Sequence, residues 1–274
     1  MRRGFGVIAP FVSAAWVLEH RDEVVLADVR FYLDGRSARA AYDEGHLPGA
    51  VFIDLERTLA APASPLDGRH PLPSPEVFAG GMRAAGISES STVVAYDDAG
   101  GVIAARLAWM LRALGVDAAV LDGGLDAWPE PLVVAEPEVQ PSTFAVRDWP
   151  ADRLATIDDA QDPRNVVIDA RPRERFEGQP DAVDPRFGHI PGARSLPCRE
   201  HLDGGVLRSK HDLRAAVDAV GAGGDNPVVS YCGSGVTACH NLLVLEHLEL
   251  PPGRLYPGSW SQYSHTDLPV ETSN

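Results

Sequence analysis

Cysteine is scarce in this sequence, which has three among 274 residues: Cys198, Cys232 and Cys239. An odd number of cysteines without the paired spacing of metal ligands disfavours a disulfide framework and a zinc site, so we expect reduced thiols and no metal. No apolar run approaches the roughly 20 residues that cross a bilayer, and residues 1–4 are not followed by the apolar core of a signal peptide. We therefore expect no membrane segment and a cytoplasmic location.

Positive charge is also in deficit. Lysine and arginine together number 24 against 39 aspartate and glutamate residues, which gives a formal net charge of −15. The long-range field of such a chain repels nucleic acid and anionic membranes, which disfavours a general binder of either. A small anionic substrate must therefore meet a local positive site. One cluster of arginines could provide it: Arg171, Arg173, Arg175 and Arg186.

The chain contains an internal repeat. Four motifs recur in the same order at separations of 135 to 143 residues, which predicts two copies of one domain. Between the copies, residues 129–150 are rich in proline and glutamate, as is typical of an extended connection. We place the boundary near Gln140, giving domains 1–140 and 141–274, called here the first copy and the second copy. The paired motifs lie at residues 28–30 and 169–171, 45–50 and 188–193, 93–96 and 228–231, and 121–124 and 256–259.

Short β-branched runs alternate with helical patterns in each copy. The runs predict buried strands, and leucine and alanine at spacings of three to four residues predict helices. Strands that alternate with helices indicate an α/β fold in which a small, mostly parallel sheet is flanked by helices. The predicted strands span residues 24–29, 93–96, 166–169 and 228–231, and the predicted helices span residues 102–114 and 238–248.

The second copy has a cysteine in a position suited to chemistry. Its strand 228–231 leads directly into Cys-Gly-Ser-Gly-Val-Thr at residues 232–237 and then into a helix. Cys232 thus lies at the carboxyl end of a strand and at a helix amino terminus, where unpaired backbone N–H groups favour the thiolate and can hold an anionic persulfide. A buried, inert cysteine is the alternative, and it is our interpretation of Cys198 and Cys239.

The first copy has a carboxylate at the matching position. Asp97 follows Tyr96 as Cys232 follows Tyr231. A carboxylate cannot carry sulfane sulfur, so we expect only the second copy to be active.

These motifs together resemble the tandem rhodanese family, and residues 232–237 resemble the loop of its 3-mercaptopyruvate sulfurtransferase branch. The resemblance implies two rhodanese-like domains and ping-pong transfer of sulfur from a small anionic donor, through a Cys232 persulfide, to a thiol, cyanide or thioredoxin. The persulfide is the only cofactor implied. Members that prefer thiosulfate usually carry basic residues directly after the cysteine. Gly233 and Ser234 stand there in this chain, which favours 3-mercaptopyruvate as donor.

The resemblance also implies roles for further residues. Arg175 and Arg186 match arginines that bind the donor, for which the planar guanidinium is well suited. Ser234 could relay a proton together with a histidine and an acid from the first copy, where His70 and Glu56 match by context. Arg171 belongs to a motif present in both copies, so we interpret it as structural. The remaining loop positions expected to contact the substrate are Gly233, Gly235, Val236 and Thr237.

Other functions remain open at this stage. Cysteine phosphatases and arsenate reductases also place a thiolate between strand and helix, but they require an arginine six residues later, where this chain has Ala238. A thiosulfate-preferring enzyme would use the same Cys232. So would a persulfide carrier that is loaded by a cysteine desulfurase.

Overall fold

The computed structural model describes residues 8–273. The expectation about residues 1–4 lies outside the described residues. Across residues 8–273, no helix is long and apolar enough to cross a membrane.

The first copy is built on a five-stranded parallel sheet with strand order β1-β5-β4-β2-β3. The central strands are β-branched runs that are largely buried, as expected for a sheet covered by helices. The strands are β1 (Phe11–Val12), β2 (Val24–Asp28), β3 (Val51–Phe52), β4 (Thr92–Tyr96) and β5 (Ala118–Leu121). The helices are α1 (Ala14–Glu19), α2 (Ala38–Glu44), α3 (Leu55–Thr58), α4 (Pro75–Ala84) and α5 (Ala105–Ala113).

The second copy repeats this topology. Its strands are β6 (Val166–Asp169), β7 (Arg194–Ser195), β8 (Leu202–Asp203), β9 (Val206–Leu207), β10 (Val228–Tyr231) and β11 (Arg254–Leu255). Its helices are α6 (Arg173–Glu177), α7 (Lys210–Ala219), α8 (Ala238–His247) and α9 (Ser259–Tyr263). The parallel sheet order β11-β10-β6-β7 matches β5-β4-β2-β3, and β8 pairs with β9 as a small hairpin. The predicted α/β fold with two similar domains is confirmed.

One predicted helix begins later than expected. Residues 102–114 were expected to be helical, but α5 begins at Ala105. The Asp97 side chain accepts the backbone N–H groups of Ile103 and Ala104. Because these amides are drawn toward the carboxylate, the preceding residues form turns rather than a helix.

The repeated Asp-x-Arg motif is structural in both copies. Arg171 donates from Nη2 to Asp169 at 2.6 Å and to the carbonyl of Gly188 at 2.7 Å, and all of these groups are buried or nearly so. Arg30 makes the same pair of contacts with Asp28 and Gly45. Each arginine therefore joins the end of a central strand to the start of a Gly-His-x-Pro-Gly-Ala motif.

The two copies pack against each other through α5 and α8, which share one apolar core. The connection between the copies, residues 129–150, contains no helix or strand, as expected, although Val133 forms an isolated β-bridge with His46. It lies against the first copy: Phe144 is buried, its carbonyl accepts Arg83 Nε at 2.9 Å, and Trp149 Nε1 donates to the Pro73 carbonyl. The boundary near Gln140 stays a prediction.

Candidate active site

Cys232 lies where β10 ends and the loop before α8 begins. Its side chain is buried, and the backbone N–H of Gly235 donates to its Sγ at 3.1 Å. Gly235 has φ +76°, and a Cβ there would lie 2.6 Å from the Pro257 carbonyl oxygen. Only glycine fits this position without strain, so the amide that contacts the sulfur depends on it.

The amino-terminal end of α9 is hydrogen-bonded to the backbone of this loop. Ser259 Oγ accepts the N–H of Cys232 at 3.2 Å, and Trp260 donates its N–H to the Cys232 carbonyl at 3.0 Å. Ser261 donates in the same way to the Gly233 carbonyl at 2.8 Å. The backbone of the cysteine is thereby held at both ends, so the sulfur has a fixed position.

The first copy shows what the same loop does with a carboxylate. The carboxylate of Asp97 accepts four backbone N–H groups at 2.7–2.8 Å, from Ala99, Gly101, Ile103 and Ala104. Strand, loop and helix therefore form an anion-binding nest in this fold. In the second copy the corresponding atom is sulfur.

His70 of the first copy reaches into the second copy. Its Nδ1 lies 2.8 Å from Ser234 Oγ, and its ring packs edge-on against Phe31. Burial lowers the pKa of His70 to about 3, with Arg106 and Arg69 acting in the same direction. The imidazole is therefore neutral at neutral pH, and its Nδ1 can donate or accept the hydrogen bond with the serine hydroxyl according to its tautomer.

The structure does not bring Glu56 to this site. Glu56 is exposed on α3, and Asp54 begins that helix by accepting the N–H groups of Glu56 and Arg57. In the described part of the chain, the His70 ring has Ser234 and no carboxylate as its hydrogen-bond partner. The expectation that Glu56 completes the relay is therefore wrong. His70 and Ser234 form a hydrogen-bonded pair without it.

Two arginines converge beside the sulfur loop. Arg175, from α6, donates from Nε to Asp181 at 2.6 Å and from Nη2 to Asp184 at 2.5 Å. Arg69, from the first copy, donates from Nη1 to the other oxygen of Asp184 at 3.1 Å. The Asp184 side chain is 1% exposed. This buried carboxylate therefore holds the two guanidinium groups together.

The remaining nitrogens of these arginines point at Gly233. A Cβ on Gly233 would lie 3.3 Å from Arg69 Nη2 and 3.4 Å from Arg175 Nη1. Among the described residues these two nitrogens have no hydrogen-bond partner, and the buried Nε of Arg69 has none either. Donors that are free, adjacent and cationic suit a carboxylate or a similar anion. Sequence reasoning missed Arg69, although it directly precedes His70.

Arg186 lies elsewhere. Its Nη1 donates to the carbonyl of Thr266 and its Nη2 donates to the carbonyl of Leu268 at 2.7 Å. Both guanidinium ends are thus used to fix the segment after α9. This placement corrects the expectation that Arg186 binds the donor, because both guanidinium nitrogens that could reach a substrate are bonded to backbone carbonyls.

The cysteine loop, the pair of His70 and Ser234, and the two arginines beside Gly233 line one cleft of about 870 Å³ between the two copies. Its walls include Cys232, Gly233, Ser234, Val236 and Thr237 from the second copy, and Arg69 and His70 from the first. Cys198 also lines the cleft, but burial raises its pKa, and likewise that of Cys239, to about 12. Both thiols are neutral at neutral pH. Within residues 8–273 no group of side chains could hold a metal ion.

A family comparison identifies the fold. The model of the rhodanese-like domain matches the chain twice, at residues 13–130 and 151–266. The chain belongs to the rhodanese family. The resemblance of the repeated motifs to tandem rhodanese proteins is thereby confirmed.

Rhodanese relatives of known name match nearly the whole chain. The 3-mercaptopyruvate sulfurtransferase of Escherichia coli is 37% identical over 276 residues, covering 95% of this chain and 97% of that protein. A provisionally named thiosulfate sulfurtransferase of Mycobacterium tuberculosis is 36% identical over 267 residues, covering 94% of each chain. The structure of 3-mercaptopyruvate sulfurtransferase from Leishmania major matches with a TM-score of 0.83 at 34% identity, covering 93% of this chain and 74% of that one. The chain is accordingly a sulfurtransferase enzyme.

Proposed function

We propose that this enzyme takes sulfur from 3-mercaptopyruvate onto Cys232 and passes it to a thiol acceptor. The observation that carries the proposal is the pair of free guanidinium nitrogens on Arg69 and Arg175, which lie beside the residue that follows the cysteine. A carboxylate held there would place the rest of a three-carbon donor over the sulfur. No metal or separate cofactor is required.

The first half-reaction balances with the groups present. The Cys232 thiolate attacks the donor sulfur, a new S–S bond forms, and the C–S bond breaks with its electron pair left on carbon as the pyruvate enolate. The proton that leaves the donor thiol is delivered to that carbon, giving pyruvate and an anionic persulfide. Ser234, bonded to neutral His70, is the group proposed to pass this proton.

The charge of the site favours a donor with one negative charge. The two arginines that face Gly233 are already matched by Asp181 and Asp184, so the cluster is neutral before a donor binds. A thiosulfate dianion would give this group of four side chains twice the excess negative charge that a monoanion gives. Gly233 and Ser234 themselves add none.

In the second half-reaction, an acceptor thiolate attacks the outer sulfur and Cys232 leaves as thiolate. The cleft is larger than a three-carbon donor, so a small thiol, cyanide or the active-site edge of reduced thioredoxin could approach the persulfide. The chemistry needs a reduced Cys232, which fits the cytoplasm as the proposed location.

Steady-state kinetics with both donors test the proposal. We expect kcat/KM for 3-mercaptopyruvate to exceed that for thiosulfate, measured as pyruvate or sulfite formed with one common thiol acceptor. A ratio below one would reverse the choice of donor. If neither donor is used while a cysteine desulfurase loads Cys232 with sulfur, the chain is a persulfide carrier instead.

Substitution of Arg69 distinguishes the donor site seen in the structure from the one expected from the sequence. An Arg69→Met variant is expected to raise KM for 3-mercaptopyruvate roughly ten-fold or more, because a charge-assisted hydrogen bond to the donor is lost. Arg186→Met is the matched control, and its KM should stay near that of the unsubstituted enzyme. The assignment fails if the two variants exchange these results.

A further inference from the structure

Arg106 is a fully buried arginine on α5, in the first copy. Its guanidinium donates to three backbone carbonyls: Gly235 at 2.7 Å, His70 at 3.1 Å and Leu59 at 3.1 Å from Nη2. None of these partners is a carboxylate. Buried charges in proteins are usually paired with an opposite charge, so the partner of this cation needs to be identified.

One of these carbonyl contacts connects Arg106 to the sulfur of Cys232 through Gly235. Gly235 accepts Arg106 through its carbonyl and donates its N–H to Cys232 Sγ at 3.1 Å. The second contact, to the His70 carbonyl, fixes the segment whose ring meets Ser234. One side chain of the first copy thus contacts both the loop that carries Cys232 and the segment that carries His70.

The other ionisable groups close to Arg106 do not supply an anion. Burial raises the pKa of Cys198 and of Cys239 to about 12 and lowers that of His70 to about 3, so all three are neutral at neutral pH. Burial also lowers the pKa of Arg106, while Cys239 and Cys232 act in the opposite direction. A guanidinium nevertheless keeps its proton in proteins. The sulfur of Cys232 is the atom nearby that becomes anionic during the proposed reaction.

Three other cations around the loop have carboxylate partners. The pairs are Arg69 and Arg175 with Asp184, and Arg171 with Asp169. Arg199 also lines the cleft, but it is exposed to solvent. Within residues 8–273, Arg106 is therefore the buried cation beside the loop whose charge no carboxylate matches.

We propose that Arg106 is a positioning residue supplied by the first copy, and that its buried charge stabilises the anionic sulfur of Cys232 both as thiolate and as persulfide. This inference rests on the proposed function, in which Cys232 carries the sulfur. It also gives the first copy, with Asp97 in place of the cysteine, a direct part in the chemistry of the second.

The test follows the ionisation of Cys232 without any sulfur donor. The rate of Cys232 alkylation by iodoacetamide is measured against pH in the full chain, by mass spectrometry of the peptide that contains Cys232. The midpoint of this pH–rate profile should move upward by about one pH unit or more in Arg106→Met, because the thiolate loses a nearby cation. Arg106→Lys keeps a charge and should shift the midpoint by less than half as much, while its kcat falls because lysine cannot hold all three carbonyls.

Arg112→Met is the matched control. Arg112 lies on the same helix and also joins the copies, but its guanidinium pairs with the carboxylate of Glu246. Its midpoint should equal that of the unsubstituted chain. If Arg106→Met does not fold, Arg106→Gln removes the charge and retains a donor for one carbonyl, with the same shift expected.

The outcomes are distinct. An unchanged midpoint in a folded, uncharged variant overturns the proposal, as does an equal shift in Arg106→Lys, which would indicate packing rather than charge. Because alkylation requires neither donor nor acceptor, the result stands even if 3-mercaptopyruvate proves not to be the donor.

Discussion

A Cys232→Ser variant is expected to release pyruvate from 3-mercaptopyruvate at a rate lower by a factor on the order of 10³ or more. A serine hydroxyl at the same position is a far weaker nucleophile than a thiolate, and it cannot form the S–S bond of the persulfide. The loop itself should persist, because its backbone is held by Gly235 and by α9 rather than by the sulfur. Single-turnover pyruvate release measures this loss directly.

The other two cysteines provide the controls. Cys198→Ser and Cys239→Ser remove thiols that are buried and neutral at neutral pH, so each variant should retain the ability to form a persulfide. Intact mass after treatment with donor should increase by one sulfur atom in both controls and in the unsubstituted chain, and should not change in Cys232→Ser. Sulfur uptake that survives in Cys232→Ser would assign the chemistry to another residue.

The fold could be predicted from the sequence because its signals are local and repeated. Strands β6 and β10 fall at the predicted residues, since an uninterrupted β-branched run between polar turns has few other solutions. The later start of α5 could not be predicted, because it depends on the contact of Asp97 with amides six and seven residues away in a folded loop.

The cysteine and its loop could also be predicted, because strand, glycines and helix are contiguous in sequence. The donor site could not, since it is assembled across the two copies. Arg69 reaches Gly233 from more than 160 positions away along the chain, through a shared contact with buried Asp184. Arg186 matched a motif, but its guanidinium bonds to the carbonyls of Thr266 and Leu268, which lie 80 and 82 residues further along the chain. Motif context does not report such a distant contact.

The first copy contributes side chains to the donor position, to the serine and to the cysteine loop of this site. It has Asp97 where the second copy has the nucleophile. It nevertheless contributes the cation Arg69 at the donor position, the imidazole of His70 at Ser234 and the buried guanidinium of Arg106 beside the loop. Such contacts require the two copies to keep one relative arrangement. The shared core of α5 and α8 provides that rigidity.

The proposed proton relay predicts an effect that depends on the donor. Cleavage of 3-mercaptopyruvate leaves an enolate that must gain a proton, whereas cleavage of thiosulfate releases sulfite, which needs none. A Ser234→Ala variant should therefore lower kcat with 3-mercaptopyruvate by roughly 100-fold, the usual size of a general acid contribution. With thiosulfate the decrease should stay within roughly three-fold, since only the nucleophile and the loop amides are involved.

Comparing the two donors on one variant removes folding and loop geometry as explanations, because both would lower the two rates equally. His70→Gln should reproduce the pattern, since the serine then loses the imidazole at 2.8 Å that can exchange its proton. Equal losses with both donors would reduce Ser234 and His70 to structural parts of the loop. A loss confined to 3-mercaptopyruvate places the proton transfer at Ser234 Oγ, and the first copy then takes part in bond cleavage through His70.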